Sequence, residues 1–143
     1  MMKSMATLVL AAVMAAGVFG DTGRVQAAGA VKVTVNYKGS GTVDAGHRVW
    51  VWLFNSPDIG PGSMPIDQIS VEKNGATATF EVTDERVWIA VAFDEKGVMT
   101  GNEPPPPGTP IGIYAASTGA PEAVSPGAKG AVTVTFDDSQ RMP

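Results

Sequence analysis

No cysteine occurs among the 143 residues, which excludes a disulfide framework, a thiol nucleophile, Cys-ligated zinc and a lipidated cysteine. Histidine is almost missing too. His47 is the only one, and a serine triad would need it beside an activated serine and a carboxylate, yet the chain has no Gly-x-Ser-x-Gly elbow. Gly39-Ser40-Gly41 reads instead as a turn, which leaves a small hydrolase using His47 as the weakest of the functional alternatives. Basic residues are sparse: 10 Lys and Arg against 14 Asp and Glu, a formal net charge of -4. Phosphate binding rests on clustered Lys and Arg, so nucleic acid is excluded as a general partner. The carboxylate pairs Asp84-Glu85 and Asp137-Asp138 stand at strand ends, where neighbours point to opposite faces, and read as solvated surface rather than a glycosidase pair. Of the 7 methionines, Met64, Met99 and Met142 are too scattered for a thioether copper site. The balance of these absences is a protein that is not an enzyme.

What is present begins with an uncharged run, Met5 to Phe19, behind Lys3. That is the form of a secretory signal, and it is shorter than the roughly twenty apolar residues that span a bilayer, so no stable membrane anchor is expected. Cleavage sites are offered at Val18-Phe19-Gly20 and Val25-Gln26-Ala27. The second lies just before the first strand pattern, which gives a signal over 1–27, a domain over 28–143 and a secreted or periplasmic location. About 115 residues suffice for one core.

Beyond the signal, strand patterns dominate and helical periodicity is missing. Val31 to Tyr37 alternates apolar and polar. Arg48-Val49-Trp50-Val51-Trp52-Leu53-Phe54 is apolar on both faces, as is Val87 to Phe93, which suits strands covered from two sides. Ile69 to Glu72 and Ala76 to Val82 flank Lys73-Asn74-Gly75, and Asn-Gly predicts a type I′ hairpin between them. Gly97 to Gly130 is rich in Gly, Pro, Ala and Ser, with Ile111 to Tyr114 its one short strand. So long a connection is functional, disordered or packed over an open face. Ala131 to Asp137 supplies the last alternating strand. About seven short strands separated by turn signals predict an all-β fold, a single antiparallel β-sandwich.

Two candidate sites stand out. Trp50, Trp52 and Trp88 share one face with Ala90 and Ala92, and flat indoles on a sheet stack on sugar rings, since both present apolar faces and polar edges. The competing expectation is ordinary packing of large Trp against small Ala, sealed by the proline-rich connection. Asp94, Glu95, Asn102 and Glu103 gather oxygens near a strand end, and calcium takes six to eight of these. Their spacing matches no dense calcium loop and Lys96 sits where another oxygen is wanted, so a solvated turn with no cofactor is the expectation. Pro104 to Pro107 resembles a polyproline II ligand, but in an exported chain it reads as a stiff loop.

The run Val49-Trp50-Val51-Trp52-Leu53-Phe54, then Phe80-Glu81-Val82, then Val87-Trp88-Ile89-Ala90-Val91-Ala92-Phe93-Asp94 with a Gly-containing turn, resembles the seven-stranded transthyretin-like (prealbumin-like) sandwich. In particular it is similar to the carboxypeptidase regulatory-like domains of exported bacterial proteins. An immunoglobulin-like topology fits these loose motifs nearly as well. The resemblance covers roughly Val31 to Asp137, carries over no catalytic residue, and is broken by the Pro/Gly-rich segment after Asp94. It implies a binding or accessory module for carbohydrate or another exported protein. The alternative is a structural interaction protein that pairs through a sheet edge.

Overall fold

Alternation sets the first strand. In Gly29–Tyr37 (β1), Val31, Val33, Val35 and Tyr37 are buried on one face while Lys32 is exposed on the other. The computed structural model describes residues 29–60 and 62–143, so the signal expected over 1–27 lies outside the described residues. Six strands follow: Val49–Phe54 (β2), Asp67–Val71 (β3), Thr77–Val82 (β4), Trp88–Phe93 (β5), Ile111–Ile113 (β6) and Ala131–Phe136 (β7). Among the described residues there is no helix, hence none long and apolar enough to cross a membrane.

The strands form two sheets, one of three in the order β4-β1-β7 and one of four in the order β3-β2-β5-β6. A single buried cluster joins them, with Val31, Val33 and Val35 of β1, Phe80 of β4 and Val134 of β7 meeting Val51 and Leu53 of β2 and Ile89, Val91 and Phe93 of β5. Each such side chain contributes about 1.5–3 kcal/mol by leaving water. That burial is how a chain without covalent staples holds together. Tyr37 stacks on Phe93 at 4.4 Å between ring centroids and closes one end of the core.

Two expectations are corrected. The sheets are not wholly antiparallel: β1 and β7 run parallel, in register from Lys32 beside Ala131 to Tyr37 beside Phe136. A parallel pair needs a long crossover, and here the five intervening strands supply it, so no local signal marks the pairing. The hairpin over Asn74-Gly75 also fails to form. Gly75 does adopt a left-handed conformation, φ 84°, but β3 joins β2 and β4 joins β1, in different sheets. Asn74 explains the divergence. Its Oδ1 accepts from the Tyr37 N–H at 2.8 Å and its Nδ2 donates to the Tyr37 carbonyl at 2.7 Å, while the Gly75 N–H donates to Val35 at 2.8 Å. The turn is thereby fastened to β1, and β4 continues along β1 instead of folding back on β3.

Candidate functional site

Because β2 alternates, Val49, Val51 and Leu53 enter the core between the sheets and Trp50, Trp52 and Phe54 cover the outer face of the four-stranded sheet. Register with β5 sets Trp50 opposite Ala92, Trp52 opposite Ala90 and Phe54 opposite Trp88. Each indole of β2 therefore lies across from an alanine, and this register brings the three tryptophans onto one face. Trp50 and Trp52 stack with centroids 6.4 Å apart and planes inclined by 23°. Trp52 is only 5 % exposed, whereas Trp50 and Trp88 are half-buried. The Arg86 guanidinium carbon sits 5.6 Å from the centre of the Trp88 ring, a cation–π contact at the rim.

A strap formed by residues 97–103 crosses this face. Asp94, at the end of β5 and 5 % exposed, accepts from the N–H groups of Val98 at 3.0 Å and Met99 at 2.9 Å. The Trp52 indole N–H donates to the Gly101 carbonyl at 3.2 Å, and Gln68 Nε2 on β3 donates to Asn102 Oδ1 at 3.0 Å. Gly101 has φ 86°, and any side chain there would run into the Trp50 ring. Met99 packs on the aromatic cluster, as does Ile59 from the loop after β2. The first part of the Pro/Gly-rich segment thus covers an apolar face. The Trp50 indole N–H is buried with no protein acceptor among the described residues.

The same contacts account for the acidic loop. Asp94 is spent on two strap amides, Glu95 pairs with Arg141 at 2.9 Å, Asn102 is tied to β3, and Glu103 is exposed. The four do not converge, and among the described residues no three His, Asp or Glu side chains form a group able to hold a metal ion. Asp94, Glu95, Lys96 and Arg141 instead border a cleft of about 280 Å³ with Pro106 and Pro107 as one wall. Thr109 Oγ1 donates to the Pro106 carbonyl at 2.7 Å and stiffens that wall. His47 is exposed, and its Nδ1 lies 2.9 Å from Asp44 Oδ1 within one turn. This contact is the main reason the Asp44 carboxyl lies below its usual range.

Two features were not anticipated from the residues. Tyr37 donates its hydroxyl to Asp138, which also accepts from the Ser40 N–H at 2.9 Å. Burial, then this hydrogen bond, pushes the Tyr37 phenol up to about 12. Nothing local in the sequence links positions a hundred residues apart. The anchoring role of Asp94 did have a signal: a short carboxylate at a strand end, followed by a glycine turn, is well placed to accept from free backbone N–H groups. Comparison with family models, with characterised proteins and with solved structures gives no match.

Proposed function

We propose that this chain is an exported β-sandwich module without catalytic activity, binding a carbohydrate or another exported protein through the outer face of its four-stranded sheet. One observation carries this reading: Trp50 and Trp88 remain half-buried on either side of the enclosed Trp52, on a face that the strap covers only in part. Half-open indoles on a rigid sheet offer a flat apolar surface at little conformational cost, and affinity then arises from stacking rather than charge. The Trp50 N–H, which has no protein acceptor among the described residues, adds a donor that an oxygen-rich ligand would satisfy.

The resemblance to transthyretin-like and carboxypeptidase regulatory-like domains is supported over the immunoglobulin-like alternative by the strand partition. In an immunoglobulin constant domain the first strand lies beside the second; here β1 lies between β4 and β7. Titration of the protein with a panel of oligosaccharides, read by tryptophan emission, tests the binding role. A saturable shift that disappears in Trp88→Ala, with the fold retained by circular dichroism, supports it. Silence across the panel removes the carbohydrate reading. Pairing through a sheet edge, the second reading, draws support from the open edge of β7.

A further inference from the structure

Four strands end the two sheets, and they are not equally protected. The outer side of β6 is covered by the C-terminal segment, since the Ile111 N–H donates to the Gln140 carbonyl at 3.0 Å and Gly108 and Thr109 bond with Met142 at 2.9 Å. The edge of β3 begins with Asp67 and that of β4 carries exposed Glu81, charges of the kind that blunt edge pairing. The strand β7 has none of these devices. Its six residues, Ala-Val-Thr-Val-Thr-Phe, contain no charge and no proline, and it lies at the end of its sheet.

The direction of its free groups follows from the ladder. Gly130 and Phe136 direct their carbonyls at β1, where Lys32 and Lys38 donate to them at 2.8 Å. Even-numbered residues therefore face β1, and strand alternation turns the backbone N–H and C=O of Ala131, Thr133 and Thr135 outward. None of the three has a backbone partner outside the β1 ladder among the described residues, and all three are exposed. The flanks carry opposite charge, with Lys129 just before the strand and Asp137 just after it, both exposed.

We infer that β7 is a self-association edge whose occupant is the β7 strand of a second copy of this chain, run antiparallel about a two-fold axis through Thr133. The parity of the free groups permits only odd residues to face odd residues. With Thr133 opposite the partner's Thr133, Ala131 falls opposite the partner's Thr135 and Lys129 opposite the partner's Asp137, twice by symmetry. An isologous contact of this kind closes on itself. It joins the two three-stranded sheets into one of six, in the order β4-β1-β7-β7-β1-β4. A groove of about 470 Å³ bordered by Ile111, Ile113, Thr135 and Phe136 opens beside the same edge and is shielded from solvent when the second copy docks.

Sedimentation equilibrium of the purified protein over a wide concentration range provides the test. The expected result is a reversible monomer–dimer equilibrium that weakens with added salt, because the flanking pairs are exposed and screened. Thr133→Pro removes an N–H that the protomer does not use, at a position where an edge strand tolerates proline. The monomer keeps its circular dichroism and thermal transition, while the dimer dissociation constant rises at least about tenfold. Should that variant fail to fold, the decision passes to the charge pair: Lys129→Asp weakens the dimer, and Lys129→Asp with Asp137→Lys restores it. A protein that stays monomeric up to millimolar concentration, or a dimer indifferent to these substitutions, overturns the inference. Glycan titration is independent of it, so a dimer that ignores every sugar separates the failure of the binding role from the failure of this one.

Discussion

Tyr37 shows how one buried hydroxyl links stability to pH at both extremes. Its ring is packed between Phe93 and Phe136 while its hydroxyl reaches Asp138. The folded phenol is pushed up to about 12 from 10.0, so the native state holds that proton more tightly than the unfolded chain. The resulting stability is full below about pH 10, declines as pH rises toward about 12 and is gone above it. Asp138 moves the other way, held low chiefly by the Tyr37 hydroxyl and then by the Ser40 N–H. Its contribution is present above the usual carboxylate range and lost as pH falls through the lowered value. Tyr37→Phe keeps the ring, deletes the alkaline linkage and weakens the acid one, where Ser40 still donates to Asp138. Denaturant unfolding across the alkaline range is expected to show the decline in the wild-type protein and not in the variant. Gly101 is the second residue on which the candidate site depends. Gly101→Ala meets both a left-handed backbone and the Trp50 ring, so a loss of about 1–3 kcal/mol is expected, as for overpacking elsewhere. A red-shifted tryptophan emission would accompany it as the strap lifts.

Among the elements, the turn at 73–76 decides most. Asn-Gly between two apolar-alternating runs favours a hairpin by local chemistry, yet Asn74 spends both ends of its side-chain amide on the backbone of Tyr37. The turn becomes a corner between sheets. Both flanking strands can then direct their apolar sets, Val71 on one side and Ala78, Phe80 and Val82 on the other, into the shared core from opposite layers. Asn74→Ala strips two hydrogen bonds from the end of β1 and is expected to destabilise the fold by about 1–3 kcal/mol, measurable as a lower denaturation midpoint with an unchanged slope. The strap obeys the same logic. Residues 97–103 belong to neither sheet, so the strap's position is set by the Asp94 carboxylate that accepts from it, by the Trp52 and Gln68 side chains that donate to it, and by the apolar face it covers.

At the scale of the whole molecule, the parallel contact between the first and last strands closes the structure. The strand β7 supplies Val134 and Phe136 to the core and satisfies one side of β1. Truncation after Gly130 is therefore expected to abolish cooperative unfolding, with loss of the β-type circular dichroism rather than a modest drop in stability. Pairing across so much chain also makes for high contact order. Refolding is accordingly expected on the order of milliseconds to seconds, slower than a helical bundle of similar length.

Period-two alternation and short apolar runs bounded by turn residues placed seven strands close to where they form, because side-chain direction and turn chemistry are local properties of the backbone. That Trp50 and Trp52 share a face was legible for the same reason, whereas Trp88 joins them through the register of β2 with β5. Strand partnership was not, since whether β4 follows β3 or β1 depends on hydrogen bonds between residues far apart, such as Asn74 with Tyr37. Nor did residue types alone separate a calcium loop from a strap anchor at Asp94. A carboxylate looks the same in the chain whether it awaits a cation or accepts two backbone amides, and the difference lies in where the surrounding chain is folded.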